Sequence, residues 1–143
     1  TLFDRLWHWR SFGYDHRLYS GLCVLEYLSQ HPDLSLSKAL KIYPERYCTE
    51  DTYISTHSEV PAAVLHDVEL KSHDFGAQLS KIDGIRLDFE DGFGIIRASN
   101  TGEYFTVRFD ADNPVRLNAI RHTFVSMLSD RYPKIAQDIL DAQ

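Results

Sequence analysis

Positive charge is in short supply in this chain: 15 Lys and Arg stand against 21 Asp and Glu, a formal net charge of −6. That balance excludes a general polyanion-binding surface, because non-specific attachment to nucleic acid needs clustered Lys and Arg. A small anionic ligand needs only a local basic pocket, so the overall sign does not oppose one. Cysteine is equally sparse. Cys23 and Cys48 are too few and too isolated for a disulfide framework or a zinc pattern. Cys23 falls in an apolar helical stretch and reads as a buried thiol; reducing cytoplasm is the expected location. No apolar run approaches the roughly 18–20 residues that span a bilayer, and no signal-peptide pattern stands at the start as given. Internal repeats and low-complexity segments are also missing. The first residue is Thr1 rather than methionine, so the chain reads as a fragment.

What is present is ordinary globular material: 143 residues, 43% hydrophobic and 25% charged, enough for one domain and a leading piece of another. Residues 14–30 read as a helix, with Leu18, Leu22, Leu25 and Leu28 at three- and four-residue spacing. Asp15 is placed to cap it or to sit in its first turn, and His31-Pro32 ends it. A short helical turn is expected over 35–40, then an extended polar linker over 42–50. Residues 52–56 are β-branched and aromatic, a strand. Ser58 is the expected cap of a helix with Pro61 in its first turn and Val60, Val64, Leu65 and Val68 on one face, ending near Gly76.

Three strands in succession follow. Residues 82–89 alternate, with Ile85, Leu87 and Phe89 on one side and Arg86 and Asp88 on the other. Glu90-Asp91-Gly92 turns the chain into a strand over 93–98. In the last strand, 104–110, Phe105, Val107 and Phe109 face the core, leaving Thr106 and Arg108 opposite. Asn113-Pro114 opens a long helix as cap and first residue, with Leu117, Ile120, Phe124, Met127 and Leu128 as its apolar stripe. Tyr132-Pro133 breaks it, and a short helix over 134–142 closes the chain. Short turns between successive strands imply an antiparallel meander with helices on one face, an α+β fold.

The densest chemistry lies in Arg97-Ala98-Ser99-Asn100-Thr101, a loop between the last two strands, with Arg108 on the far strand. A guanidinium fits phosphate bidentately. Ser, Asn and Thr add directional donors, and backbone N–H groups at a turn can join them as a nest. Ser-Asn-Thr-Gly is also plain turn chemistry, so the five residues alone leave both readings open. Arg86 ranks lower, because a surface arginine beside Asp88 more often pairs with it. The seven histidines show no i,i+4 pair for a metal, and Asp4, Asp15, Asp88 and Asp91 are too dispersed for a magnesium site.

The wider run shifts the balance toward the first of those two readings. Asp83-Gly84-Ile85-Arg86-Leu87-Asp88-Phe89, Gly92-Phe93-Gly94-Ile95-Ile96-Arg97-Ala98-Ser99-Asn100-Thr101 and Val107-Arg108-Phe109-Asp110-Ala111 together resemble the C-terminal domain of the α-D-phosphohexomutases, in particular the bacterial phosphomannomutase/phosphoglucomutase branch. Upstream, Phe12-Gly13-Tyr14-Asp15, Leu18-Tyr19-Ser20 and Leu25-Glu26-Tyr27-Leu28-Ser29 resemble the helix that closes the family's third domain. The resemblance implies three parts: 1–41 as the end of domain 3, 42–50 as linker, and 51–143 as the C-terminal domain. That domain is expected to have a four-stranded, mainly antiparallel sheet with two helices on one face, TATA-box-binding-protein-like.

It further implies a role. Family members interconvert hexose 1-phosphates and 6-phosphates using a phosphoserine in the first domain, a magnesium ion held in the second and a sugar-reading loop in the third. The last domain grips the substrate's non-reacting phosphate. Residue by residue, that grip falls on Arg97, Ser99, Asn100, Thr101 and Arg108. No catalytic residue and no metal ligand is expected in this chain; Mg2+ belongs to other domains, and the partners are a hexose phosphate and those domains. The chain alone is expected to be inactive.

Departures from the pattern bear on this. Gly102-Glu103 stands where the family carries a residue followed by proline, which should loosen the loop and bring a negative charge near it. His16 replaces a second aspartate, and residues 1–11 do not match the family's sugar-reading loop. A non-catalytic sugar-phosphate-binding or regulatory domain is therefore the alternative, and a structural domain whose arginines only pair with carboxylates is a third.

Overall fold

The computed structural model describes residues 17–142. The helix start at 14–16, the Asp15 cap, His16 and the divergent segment 1–11 lie outside the described residues. The chain divides into two compact units, 1–44 and 45–143.

In the first unit, α1 spans Arg17–Ser29 and α2 spans Leu36–Leu40. Ser35 caps α2, its hydroxyl accepting the Lys38 N–H at 3.3 Å, so a donor that the helix start would orphan is satisfied. The leucine stripe of α1 is turned outward, with Leu18, Leu22 and Leu25 all exposed. Cys23 is half-buried rather than buried.

The second unit is a six-stranded antiparallel sheet. Its strands are β1 (Tyr47–Cys48), β2 (Thr52–Ser55), β3 (Gln78–Ser80), β4 (Ile85–Phe89), β5 (Gly92–Ala98) and β6 (Tyr104–Ala111). The order runs β6-β5-β4-β3, and both β1 and β2 lie along the free side of β6. Three helices belong to this unit: α3 (Pro61–Ser72), α4 (Pro114–Leu128) and α5 (Pro133–Asp141). The expected α+β class holds, with more strands than the four anticipated; the short closing helix read over 134–142 is present as α5 and joins the two helices that the resemblance implied.

The extra strands have a physical explanation. β1 lies in the stretch read as linker, and its two residues are too few to show an alternation. What recruits it is the partner: Arg46 is ion-paired with Asp110 and Asp112. Thr49 continues the edge, donating its N–H to the Phe109 carbonyl and accepting the Phe109 N–H on its hydroxyl, both at 3.0 Å. Likewise β3 is three residues long and gains its hydrogen bonds from β4. β4 itself begins at Ile85 rather than at 82, because Asp83-Gly84 turns the chain; Ile82 is 96% exposed.

Alternate residues of the longer strands fill one core. Ile85 and Leu87 of β4, Ile96 of β5, and Phe105, Val107, Phe109 and Ala111 of β6 are buried against Val64 and Val68 of α3 and Ile120, Phe124, Met127 and Leu128 of α4. Gly92 and Gly94 face the same way. A Cβ at Gly92 would lie 2.7 Å from the Ile120 side chain, and one at Gly94 would run into the Phe124 ring. Glu90-Asp91 turns the chain from β4 into β5 as expected, and the two glycines in addition let α4 settle directly onto β5. Asn113 caps α4 as expected, accepting the Arg116 N–H at 2.9 Å.

Ser58 does not cap α3. Val60 holds that position without a side-chain bond, and His57 and Ser58 both sit at left-handed φ of 50° and 67°. The chain needs two such residues to leave β2 and swing toward the helix, and that geometry removes Ser58 from the N–H groups of α3. Val60, expected on the apolar face, is exposed as a result. His57 instead bonds Asp138 of α5 at 2.8 Å.

Candidate anion-binding site

All three helices of the second unit leave one sheet face to solvent, and the register states what that face presents. Arg86 of β4, Ile95 of β5 and Arg108 of β6 form one cross-strand row. Arg97, Thr106 and Tyr53 form the next. Period-two alternation brings these side chains to one side because their neighbours are in the core. An open depression of about 310 Å³ lies here, lined by Arg86, Arg97 and Arg108 around Phe93, Ile95 and Thr106, with Asp51. A chain of net charge −6 thus gathers three guanidiniums on one patch.

Each arginine is held differently. Arg86 is fixed most tightly: it bonds both oxygens of Asp88, with its Nη2 at 2.6 Å, and stacks over the Phe93 ring with 3.8 Å between guanidinium and centroid. The Asp88 hydrogen bond raises its pKa further above an already high value. Arg97 makes a single 3.1 Å contact with Asp83, whose side chain is 73% exposed. Arg108 meets Asp51 only at 3.8 Å. Exposed pairs of this kind contribute about 0–1 kcal/mol, so a bidentate anion can displace both carboxylates. Gly84 explains the position of Asp83: at φ 89° its Cα rests against the strand, and a Cβ there would lie 2.7 Å from the Arg97 Cα.

The hydroxyl loop closes the β5–β6 hairpin at the end of this face, next to Arg97. It is organised from within. The Ser99 Oγ accepts the N–H groups of Thr101 and Gly102, both at 3.1 Å, and Ser99 N–H donates to the Tyr104 carbonyl at 2.9 Å. The N–H groups of 99, 101 and 102 are therefore spent inside the loop rather than forming the nest expected from sequence. Asn100 and Thr101 are exposed at the tip, and the Thr101 hydroxyl lies 3.4 Å from the Ser99 Oγ. Glu103 is exposed too, and its carbonyl accepts the Thr56 N–H at 3.1 Å, tying the loop to the turn after β2.

Of the five residues singled out from sequence, Arg97 and Arg108 share the depression. Asn100 and Thr101 stand at the adjoining hairpin tip, and Ser99 is turned into the loop. Arg86 pairs with Asp88 as expected from sequence, yet it also lines the depression; Thr106, Asp51, Asp83 and Tyr104 carried no role in that reading. Alternation with Arg108 had already put Thr106 on this face; the two acids carry no such signal, since each meets its arginine across strands. Among the described residues no group of three or more His, Cys, Asp or Glu lies together to hold a metal ion. Nor is any helix among them long and apolar enough to cross a membrane.

No family model matches the chain. Individual proteins do. It is 31% identical over 130 residues to a phosphomannomutase/phosphoglucomutase of Pseudomonas syringae, covering 91% of this chain and 27% of that protein. To a phosphoglucomutase of Neisseria gonorrhoeae it is 34% identical over 121 residues, 83% of this chain and 26% of that one. A crystal structure of a phosphoglucomutase/phosphomannomutase family protein from Burkholderia thailandensis superposes with a TM-score of 0.68 at 27% identity, over 87% of this chain and 26% of the other. The chain spans about a quarter of the length of the relatives it matches. Matches over nearly the whole chain, joined to the motif run and a shared fold, lead to one conclusion: the chain belongs to the α-D-phosphohexomutase family, in its phosphomannomutase/phosphoglucomutase branch.

Proposed function

We propose that this chain is the C-terminal, substrate-phosphate-binding domain of a phosphomannomutase/phosphoglucomutase that interconverts hexose 1-phosphate and 6-phosphate, with residues 1–41 completing the preceding domain and 51–143 forming the binding domain. The observation that carries it is the convergence of Arg97 and Arg108 on one solvent-open depression beside the Asn100-Thr101 tip. Two guanidiniums and short polar side chains match the charge and oxygen geometry of a phosphate monoester. Held there, the non-reacting phosphate supplies binding energy that orients the distant reacting oxygen. The chemistry itself belongs to other domains, including a magnesium site, so this chain alone turns nothing over; cytoplasm is the compartment that fits such a substrate.

Asp51 and Asp83 favour a second reading. They already occupy the arginines, as a domain that has lost mutase activity or merely pairs its own charges would show. The full-length parent, folded and supplied with magnesium, decides between them. Turnover of glucose 1-phosphate or mannose 1-phosphate is expected, and none with either sinks the mutase reading. Titration of this chain with glucose 1-phosphate, followed by shifts of the Arg97 and Thr101 amide signals, then tests the site separately.

A further inference from the structure

The loop beside the arginines carries a glycine, Gly102, and no proline, yet three of its N–H groups hold fixed partners. One side chain packs against it from the sheet. Tyr104, the first residue of β6, lays its ring over Gly102: a Cβ added there would sit 2.5 Å from the ring Cε1 and 2.9 Å from Cδ1. No φ in the left-handed region demands glycine at this position, so the requirement is space for that ring. The ring is itself braced, edge-on to Tyr53 with centroids 5.2 Å apart. Its backbone carbonyl takes the Ser99 N–H, so the residue grips the loop at both of its ends. The Ser99 and Thr101 hydroxyls beside the phenol lower its pKa.

We infer that Tyr104 and Gly102 form a latch that holds the 99–103 loop in its ligand-ready shape, making Tyr104 a positioning residue for the anion site. The inference rests on the function proposed above for its use, and on packing alone for its existence. A loop that is already ordered loses less entropy on binding. The latch occupies the place in the loop where proline would stiffen the backbone directly. Gly102 and Tyr104 are one device, since any side chain at 102 expels the ring.

The experiment measures backbone 15N order parameters at Thr101 and Gly102 in the full 143-residue chain, together with its affinity for inorganic phosphate. Tyr104→Ala is expected to lower both order parameters from the rigid range of about 0.85 to below about 0.6 and to weaken phosphate binding by about tenfold. Gly102→Ala, a surface change that leaves β6 intact, should do the same, with residue 102 read as alanine. Tyr104→Phe keeps the ring and should keep most of the order. The double variant Tyr104→Ala/Gly102→Ala should be no worse than either single one, because the two changes break a single contact. Unchanged order parameters in both single variants, or fully additive effects in the double, overturn the latch. If the parent chain binds no phosphate while the order parameters still fall, the latch stands and the proposed site fails.

Discussion

At Arg97 and Arg108 the decisive quantity is how weakly their present partners hold them. One contact of 3.1 Å to a mostly exposed carboxylate and one of 3.8 Å are loose by the standard of Arg86, which is bonded twice and stacked. Asp83→Asn is therefore expected to tighten glucose 1-phosphate binding a few-fold, read by calorimetry. Arg97→Ala and Arg108→Ala should each weaken it by about 1.5–3 kcal/mol, the range for hydrogen bonds to charged groups. Thermal midpoints of these variants should stay within about 2 °C of the parent, because neither pair is buried. An arginine variant that unfolds early while binding normally would assign that arginine to the fold instead.

Asp91 offers a pH test at the same scale. The Arg116 hydrogen bond holds its carboxyl below the ordinary value. Its stabilising contribution is thus present above the unfolded pKa of about 3.9 and is lost as pH falls through the depressed folded value. The gap in thermal midpoint between the parent and Asp91→Asn should accordingly be open at pH 7 and close below about pH 4. A gap that persists at pH 2 would exclude this ion pair as its cause.

Elements were legible in proportion to their length. The helix with the Asn113-Pro114 start and the strands with Phe105-Val107-Phe109 and Ile85-Leu87 could be read because periodicity repeats several times within each. β1 and β3 could not, since two or three residues carry no period and their pairing is supplied by β6 and β4. Ser58 misled for a related reason: its type fits a cap, but the paired left-handed turn at His57 and Ser58 depends on where β2 ends and α3 must begin. Gly94 is the element-scale test. Gly94→Ala pushes a methyl into the Phe124 ring and is expected to cost about 1–3 kcal/mol, the range for overpacking. Removal of the α4 cap by Asn113→Ala should cost about 1 kcal/mol. Urea unfolding measures both, and a Gly94→Ala variant as stable as the parent would mean that α4 is free to lift from β5.

At the scale of the whole molecule, the buried hydrophobic core among the described residues lies between Ile54 and Ile139, inside the second compact unit. Residues 45–143 expressed alone should therefore unfold cooperatively, with a midpoint within about 3 °C of the full chain. A non-cooperative melt would show that residues 1–44 complete the fold. The exposed leucines of α1 predict the converse for the first unit, which lacks an apolar core of its own among the described residues.

From residue order alone came the α+β class, the strand faces, the buried stripe of α4 and the two arginines, because alternation and capping act over a few neighbours and leave their mark in local spacing. The phosphohexomutase motif run added the family. Only tertiary structure could decide which acids meet those arginines, that Arg86 joins them, that Ser99 turns inward, and that a tyrosine ring fills the space above Gly102. Each of these joins residues on different strands or across a hairpin, and such distances are set by register and packing rather than by separation along the chain.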